Sequence, residues 1–323
     1  MLKIKIPPRI HITLISMHEG GYRQNGGIGF AIDAPSLVIA IQPSSEVHIE
    51  DKRENGFNQD EQGRIDAILH DTIRTYSLQH GIEATITGDI PTHMGFGSST
   101  AVRLALIEGL FLVNKKSYDK QEIIRISGRG GVSGIGVESY FEGGFVFDLG
   151  RKEKHRFAPS SAMETQERPL PLLCKRVDMP QWQIGLCVPD IKPKSEEEEK
   201  HFFSRTCPIP QNESHNTLYH ATYGVLASVI EDDIDTFAES IKNIQKTYWK
   251  NAEGSLYDDE LISIEQILYE SGAMAVGMSS LGPSLYFVAD NIEDVILRAQ
   301  KRLKSCRLLL AHMNNAGRSI GYD

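Results

Sequence analysis

The sequence lacks long apolar runs and close pairs of cysteine. It has only four cysteines among 323 residues, and none of them forms a C-x-x-C pair. A zinc site is therefore not expected, and the thiols are predicted to be reduced, as in a cytosolic protein. No apolar run approaches the roughly 20 residues of a membrane helix, and the alternating start MLKIKIPPRIHITLI has no signal-peptide core. We expect a cytoplasmic protein without a membrane partner.

The sequence also has fewer basic than acidic residues. The formal net charge is -9 at pH 7, which gives no basic field for a polyanion, so nucleic acid is not an expected partner. An anionic small molecule would need a local binding site. The chain length favours two domains over one, and the hydrophobic share of 40% is ordinary for a globular protein.

The first half of the chain mixes predicted strands and helices. Alternation at period two predicts strands in KIKI, RIHITLI, SLVIAIQ, SEVHIED and EATITGDI. Between Glu61 and Gln79 the apolar residues fall on one helical face, with Gly81 as the predicted C-terminal cap. The stretch STAVRLALIEGLFLVN predicts a helix that is buried on most of its faces.

The second half follows an irregular, proline-rich crossing at residues 151 to 181. We place the boundary near residue 180, giving domains 1–180 and 181–323. The run EEEEK at 196 to 200 is predicted to be a solvated face or loop. Helices are expected at 218–230, 234–244, 261–270 and after Asn291, where Asp294 indicates a capping box, and strands in WQIGLCVP, AMAVGMSS, SLYFVAD and RLLLAH. This order predicts an α+β fold.

The stretch PTHMGFGSSTAV, residues 91 to 102, leads from a strand into a helix. Glycine lets the backbone approach a ligand closely, and the free N–H groups and dipole of a helix N-terminus favour an anion. Gly95, Gly97, Ser98, Ser99 and Thr100 are therefore candidate phosphate ligands. The alternative is a plain turn capped by serine.

Two further stretches are rich in small residues. GRGGVSGIGVESYFEGGFVFDLG, residues 128 to 150, carries many glycines in a segment that otherwise resembles a helix between loops. Glycine costs roughly 1 kcal/mol per helical position, which indicates close backbone approach. GAMAVGMSSLGPSLYFVAD places a Gly-Met-Ser-Ser-Leu-Gly-Pro turn, with Ser279 and Ser280, between two strands. The three loops are candidates for one shared anion site.

These residues resemble the motifs of the GHMP small-molecule kinases. The loop at 91 to 102 is similar to their second motif (Pro, three residues, Gly-Leu-Gly-Ser-Ser), with Phe96 in place of the usual leucine. IHITLISMHEGGYRQNGGIGFAI resembles their first motif, and GMSSLGPS their third. The resemblance implies an N-terminal domain with a left-handed βαβ unit, a ferredoxin-like C-terminal domain, an active site between them and a homodimer.

One departure concerns the catalytic base of those kinases. Many carry Ser-Gly-Ile-Asp, whose aspartate is the base, with Gly-Gly seven residues later. This sequence has Ser133, Gly134, Ile135 and Gly136, followed at the same spacing by a Gly-Gly pair. Because glycine cannot take a proton from an acceptor hydroxyl, kinase chemistry by that route is not expected.

The stretches GRGGVSGIGVESYFEGGFVFD, RIHITLI, NGGIGFAI, VGMSSLGPSLY and MNNAGRSI closely resemble the β-ribofuranosylaminobenzene 5'-phosphate synthases. That resemblance implies condensation of 4-aminobenzoate, or a related benzoate, with 5-phosphoribosyl pyrophosphate. CO2 and pyrophosphate are released, in methanopterin-type cofactor biosynthesis. The alternatives are a GHMP kinase that lacks its base and a non-catalytic paralogue that binds a sugar phosphate.

Candidate site residues follow from the loops and the resemblance. Phosphate binding is expected at Gly95, Gly97, Ser98, Ser99, Thr100, Ser279 and Ser280. Catalytic contacts are expected from Arg9, His11, Arg129 and Ser133, and substrate contacts from Asn25, Gly26 and Gly27. Glu142 and Asp148 are expected to bind Mg²⁺, which takes oxygen ligands; no organic cofactor is expected. The plainer alternatives are helix capping, turns, a structural histidine and solvent-exposed charge.

Overall fold

The computed structural model describes residues 1–152, 156–160, 170–257 and 259–322. The strands are β1 (Leu2–Ile6), β2 (Arg9–Ser16), β3 (Asn25–Ala31), β4 (Leu37–Ser44), β5 (His48–Asp51), β6 (Gly81–Gly88), β7 (Phe145–Asp148), β8 (Leu173–Val177), β9 (Gln183–Pro189), β10 (Ala275–Met278), β11 (Leu285–Val288), β12 (Cys306–His312) and β13 (Ser319–Tyr322). The helices are α1 (Gln59–Tyr76), α2 (Ser98–Val113), α3 (Lys120–Ser127), α4 (Ile135–Glu142), α5 (Glu196–Thr206), α6 (Gln211–Tyr219), α7 (Ala227–Glu231), α8 (Ile234–Gln245), α9 (Tyr248–Gly254), α10 (Asp259–Glu270) and α11 (Ile292–Ala299), with a π-helical segment, His220–Leu226, between α6 and α7.

A five-stranded sheet in the order β13-β1-β4-β6-β5 carries much of the N-terminal core. Its strands pair antiparallel except β5 and β6, which are parallel and joined by α1, so they form the predicted βαβ unit. Helix α2 packs against β1 and β4. Twelve of its sixteen residues are buried, because its sequence is apolar on nearly every face. The prediction of an almost fully buried helix is confirmed.

A second sheet, β2-β3-β7-β8, carries the strands that lead into the glycine-rich segments. All seven residues of β3 are buried. Its glycines allow this close packing: a Cβ on Gly27 would lie 2.5 Å from the Thr13 carbonyl oxygen, and one on Gly29 would lie 2.3 Å from that of Ile10. Strand β8 falls in the segment predicted to be irregular, where pairing with β7 orders Leu173–Val177.

The third sheet has the order β10-β11-β9-β12 and is antiparallel. Counted along this half of the chain, its strands lie in the order two, three, one, four, which is the arrangement of a ferredoxin-like βαββαβ unit. The α+β GHMP-like fold is confirmed. The boundary at residue 180 stays a prediction. The last strand, β13, returns to pair with β1 at the edge of the five-stranded sheet.

A buried ionic network holds this returning segment. Glu108 on α2 is fully buried and accepts hydrogen bonds from Tyr118 (2.7 Å) and Tyr140 (2.5 Å). Arg318 pairs with the same carboxylate at 2.5 Å. Because a buried carboxylate requires partners for its charge, the network explains how a helix so apolar tolerates a glutamate.

Two local predictions from the sequence were wrong. Helix α1 ends at Tyr76, and its C-cap Ser77 adopts the left-handed conformation with φ 49°, so Gly81 begins β6 and is not the cap. The EEEEK run, predicted to be a solvated face or loop, begins α5 after a capping box of Ser195 and Glu198, and three of its five residues are exposed. The helix expected at 218–230 is interrupted by the π-helical segment. In the described part of the chain, no helix has the length and apolarity needed to cross a membrane.

Candidate active site

One cavity of about 540 Å³ brings together the three loops found in the sequence. Its lining includes ten of the predicted site residues: Arg9, His11, Gly95, Gly97, Ser98, Ser99, Thr100, Arg129, Ser133 and Ser280. Helices α5 and α9 contribute another part of the lining, with Glu199, Phe203 and Glu253. Residues from widely separated parts of the chain therefore meet at a single site, although their individual roles stay predictions.

The N-terminus of α2 opens into this cavity. Its N-cap, Gly97, makes no side-chain capping bond, and the first turn contains no acidic residue. Gly97 has φ +74°, and Gly95 has φ +90° with no room for a side chain, since a Cβ would lie 2.4 Å from the Ser279 carbonyl oxygen. The first N–H groups of a helix have no partner within it and carry the positive end of its dipole. This end of the cavity can therefore bind an anion.

Two arginines lie at the same end. Arg9 donates from Nη1 to the Gly95 carbonyl at 2.5 Å, and its buried Nε has no hydrogen-bond partner among the described residues. Arg129 donates from Nε to Thr100 Oγ1 at 3.0 Å. Burial and the nearby charge of Arg129 lower the pKa of Arg9 to about 10. A pair of cations that raise each other's energy is stabilised when an anion binds between or beside them. We call Arg9, Arg129 and the first turn of α2 the anion end.

His11 borders the anion end from strand β2. Its Nδ1 is buried and has no hydrogen-bond partner within the described ranges. Burial, together with the charges of Arg9 and Lys250, lowers the pKa of His11 well below its usual value. The ring is therefore neutral at physiological pH, with one ring nitrogen that can donate and one that can accept a hydrogen bond.

Ser279 fixes the third loop to strand β2 and to the loop that precedes α2. Its hydroxyl accepts from the His11 backbone N–H at 3.1 Å and donates to the Gly95 carbonyl at 2.8 Å. Ser279 is fully buried, so it lies behind the lining, whereas Ser280 lines the cavity. The Ser280 N–H also donates to the His11 carbonyl at 2.8 Å. The two serines thus occupy different positions, one joining the loops and one facing the site.

A buried lysine, which the sequence analysis did not single out, supports the same loop. Lys250 Nζ donates to the carbonyls of Met278 (2.8 Å) and Ser280 (3.4 Å) and pairs with Glu253 at 2.5 Å. Its side chain is completely buried. The only sequence signal was a Lys and a Glu three residues apart on a short helix, a spacing shared by many exposed pairs.

Asp148 accepts hydrogen bonds from the second glycine-rich segment inside the protein. One of its oxygens accepts from Ser133 Oγ (2.8 Å) and Gly134 N–H (2.9 Å), and the other accepts from Gly150 N–H (2.8 Å). Burial raises the pKa of Asp148 to about 6, although these hydrogen bonds favour the charged form. The carboxylate occupies the start of α4 as an internal anion, and Asp148 is not part of the cavity lining.

The remaining predicted residues also lie away from the lining. Gly26, with φ +75°, sits where a Cβ would be 2.7 Å from the Asp148 carbonyl oxygen, so it and its neighbours Asn25 and Gly27 bring β3 against β7. Glu142 accepts from Lys120 Nζ at 3.4 Å. None of these four residues contributes to the cavity surface, and their roles in substrate or metal binding stay predictions.

Acidic residues line the side of the cavity formed by α1 and α5. Glu61 pairs with His93 at 2.8 Å, and Glu196 pairs with Lys200 at 2.6 Å and with Arg64 at 3.3 Å. The side chain of Glu199 differs, because it makes no hydrogen bond or ion pair with any described residue. Burial raises the pKa of Glu199 to about 7. Over the ranges described, no group of three or more His, Cys, Asp or Glu side chains could hold a metal ion.

Gly136 lines the cavity next to Thr100. A Cβ built on it would lie 3.6 Å from Thr100 Cγ2, an ordinary contact distance, and its φ is not in the left-handed region. The backbone therefore does not require glycine here. What glycine changes is the content of the cavity, which has neither a carboxylate nor any other side chain at this point.

Comparisons with known proteins agree with this geometry. The GHMP kinases N terminal domain model matches residues 65–142. A β-ribofuranosylphenol 5'-phosphate synthase of Methanothermobacter thermautotrophicus is 32% identical over 90% of this chain and 89% of its own. A protein of the same name from Archaeoglobus fulgidus is 31% identical over 99% of both chains. A homoserine kinase structure from Cytophaga hutchinsonii matches with a TM-score of 0.70 at 14% identity, over 99% of this chain and 97% of that one, and shows the fold alone.

The matches to the synthases run through all three loops of the cavity and both halves of the fold. The chain therefore belongs to the β-ribofuranosylphenol 5'-phosphate synthase family, within the GHMP kinase superfamily.

Proposed function

We propose that this enzyme joins a 4-substituted benzoate to 5-phosphoribosyl pyrophosphate, releasing CO2 and pyrophosphate, in methanopterin-type cofactor biosynthesis. The observation that carries the proposal is the identity of 30–32% to three archaeal synthases over 89% or more of the chain. The reaction forms a bond between ribose C1 and the ring carbon that bears the carboxylate. The C1–O bond to pyrophosphate breaks, and loss of CO2 then restores the aromatic ring.

The anion end supports this chemistry because it can hold the leaving group. Departure of pyrophosphate leaves positive charge on ribose C1 and adds negative charge to the diphosphate, so fixed donors aimed at the diphosphate lower the barrier. Arg9, Arg129 and the N–H groups of Ser98 and Ser99 are the donors we assign to it. The neutral His11, with its unpartnered buried nitrogen, can hydrogen-bond the ribose or its 5'-phosphate without adding a proton to the site.

The lining at Gly136 supports synthase over kinase chemistry. Phosphoryl transfer to an alcohol is assisted by a base that accepts the hydroxyl proton. Here that position carries no side chain, and there is room for one. The attacking atom in the proposed reaction is a ring carbon without a proton, so no base is needed at the point of attack.

The residues predicted to bind Mg²⁺ do not fit that role. Both oxygens of Asp148 accept hydrogen bonds inside the protein, and Glu142 is engaged by Lys120 outside the cavity. Mg²⁺ typically binds through one or two carboxylates together with substrate phosphates and water. We propose that a divalent cation enters as the counter-ion of the diphosphate, and we assign no step of the reaction to it.

The names of the relatives bear on which benzoate is used. A ribosylphenol arises when the ring that loses CO2 carries a 4-hydroxyl group, whereas 4-aminobenzoate would leave a ribosylaminobenzene. Three relatives are named for the phenol. We therefore propose 4-hydroxybenzoate as the preferred aromatic substrate and 4-aminobenzoate as the poorer one.

The test is incubation of the folded protein with 5-phosphoribosyl pyrophosphate, Mg²⁺ and each benzoate in turn. We expect CO2 and pyrophosphate in equal amounts, together with an aryl ribose 5'-phosphate, and a higher kcat/KM for the hydroxy acid. Pyrophosphate alone should raise the melting temperature, since a ligand at about 100 times its Kd stabilises a fold by roughly 2.7 kcal/mol. Protection by ATP without any release of CO2 would instead support a kinase.

A further inference from the structure

We propose that Glu199 is the general base that removes the proton from the 4-hydroxyl group of the aromatic substrate while the ring attacks the ribose. This inference rests on the proposed function. Glu199 lies outside the three glycine-rich loops, in an acidic run that was predicted from the sequence to be a solvated face or loop.

The position of Glu199 is the first argument. It lies on α5, which begins with a capping box that fixes the helix start. Phe203 follows four residues later, so the two side chains project from the same face of the helix, and both line the cavity. Phe203 is buried against Leu14 and Val132, which also line it. An aromatic ring placed on this apolar surface would bring a polar substituent next to the carboxylate.

The Glu199 carboxylate has no partner among the residues that the structure describes. Of the other acids that line the cavity, Glu61, Glu196 and Glu253 are paired with His93, Lys200 and Lys250, and Asp60 and Glu197 are exposed to solvent. Glu199 makes no such pair with a described residue, so its carboxylate can accept a hydrogen bond from a ligand. A hydroxyl group supplies that bond, whereas a second carboxylate would be repelled. The substrate carboxylate is thereby directed away from α5 and towards the cations of the anion end.

The charge environment suits proton transfer near neutral pH. Burial raises the pKa of Glu199 to about 7, and the neighbouring charges act in both directions. The groups facing it are His93 and Arg129, which lower its pKa, Glu196 and Glu253, which raise it, and Tyr257, which feels its charge. A general base is most effective when its pKa lies near the working pH.

The proton and electrons balance over the two steps. Glu199 takes the phenolic proton, and the electron pair of the O–H bond is delocalised into the ring. The ring carbon para to the oxygen forms the bond to ribose C1, and the C1–O pair leaves with pyrophosphate. When CO2 departs, the C–C pair restores the aromatic ring, and Glu199 returns the proton to the phenolate oxygen. No oxidant or other co-reactant is required.

The experiment compares 4-hydroxybenzoate with 3,5-difluoro-4-hydroxybenzoate, whose hydroxyl is largely ionised at neutral pH. In Glu199→Gln we expect kcat to fall roughly 100-fold with the first acid, the usual scale of general-base catalysis. With the difluoro acid the loss should be less than about 5-fold, because no base is needed. Glu197→Gln removes the same charge two residues away, at the exposed rim of the cavity. It should leave kcat nearly unchanged with both acids.

A measurement on the unaltered enzyme gives an independent check that does not depend on the variant folding. With 4-hydroxybenzoate, kcat should rise as pH increases through about 7, because the base acts in its deprotonated form. With the difluoro acid any rise should follow the ionisation of its own hydroxyl, at lower pH, and should be the same in Glu199→Gln as in the unaltered enzyme. Equal losses with both acids, identical pH profiles, or a raised Mg²⁺ requirement with both acids would overturn the assignment. Absence of turnover with any benzoate would instead refute the proposed function.

Discussion

Replacing Gly136 with aspartate tests whether the diphosphate occupies the anion end. The backbone tolerates the change: a Cβ would lie 3.6 Å from Thr100 Cγ2, and φ is in the normal range. Near the start of α4 an acidic residue is also favourable for the helix dipole. The fold should therefore survive Gly136→Asp. The new carboxylate would stand beside Thr100 and Arg129, which are joined by a hydrogen bond of 3.0 Å.

The expected change in the KM for 5-phosphoribosyl pyrophosphate follows from the position of residue 136. A carboxylate extending from residue 136 would lie about 6–8 Å from a phosphate bound at the first turn of α2, where two like charges repel by roughly 2–3 kcal/mol at an effective dielectric constant of about 20. Arg129 would pair with the new carboxylate and so offset part of this repulsion. The same pairing would withdraw Arg129 from the substrate. We expect the KM for 5-phosphoribosyl pyrophosphate to rise roughly 10- to 50-fold, at about 1.4 kcal/mol per tenfold change.

The assay is initial-rate release of pyrophosphate as a function of 5-phosphoribosyl pyrophosphate, at a saturating concentration of the aromatic acid. Gly136→Asn is the matched control, because it has almost the same volume without the charge. Its KM should change less than about threefold, and the gap between the two variants should narrow as salt screens the repulsion. If both variants shift the KM by the same factor, the diphosphate does not lie beside Gly136 and the assignment of the anion end is wrong.

Three other substitutions test the supports of the site. Ser279→Ala removes the hydroxyl that accepts from the His11 N–H in β2 and donates to the Gly95 carbonyl, which keeps its bond from Arg9, so we expect a loss of roughly 1–3 kcal/mol in urea unfolding and weaker substrate binding. Lys250→Met leaves the buried Glu253 unpaired and should cost about 3–5 kcal/mol, while the double variant with Glu253→Leu recovers much of that stability. Asp148→Asn exchanges one acceptor for a donor facing a backbone N–H, and should lower stability by about 1–3 kcal/mol without changing the Mg²⁺ dependence of the rate.

The three loops could be predicted from sequence because their chemistry is local. Gly97 immediately before a helical pattern, followed by serines, already specifies an open helix start, and the structure has one there. The same reasoning placed Ser279 and Ser280 in one group, whereas the structure separates them into a buried connector and a lining residue. Adjacent residues in an irregular turn point in directions that depend on contacts nearly 270 residues away, such as the bond to His11.

The acidic side of the cavity could not be predicted, for a different physical reason. Four consecutive glutamates on an isolated helix are most simply explained as a solvated surface. Phe202 and Phe203 pack against Trp249, and Glu199, one turn before Phe203, lines the cavity with it. The apolar pair fixes the rotation of the helix, and that rotation selects which glutamate is enclosed. The FF pair after EEEEKH was the available signal, since it sets the buried face three and four residues after Glu199.

Helices α2 and α4 both begin at glycine-rich turns, but the surroundings of their N-termini differ. This difference bears on both the metal prediction and the anion site. The start of α4 is occupied by Asp148, which satisfies Ser133, Gly134 and Gly150 from within the fold. The start of α2 has neither a capping side chain nor an acid. The start of α4 already holds an anion, Asp148, and is therefore structural. The start of α2 holds none and can bind an anionic ligand. Asp148 looked like a metal ligand in the sequence because it is a carboxylate among glycines, yet those glycines are what supply its hydrogen bonds.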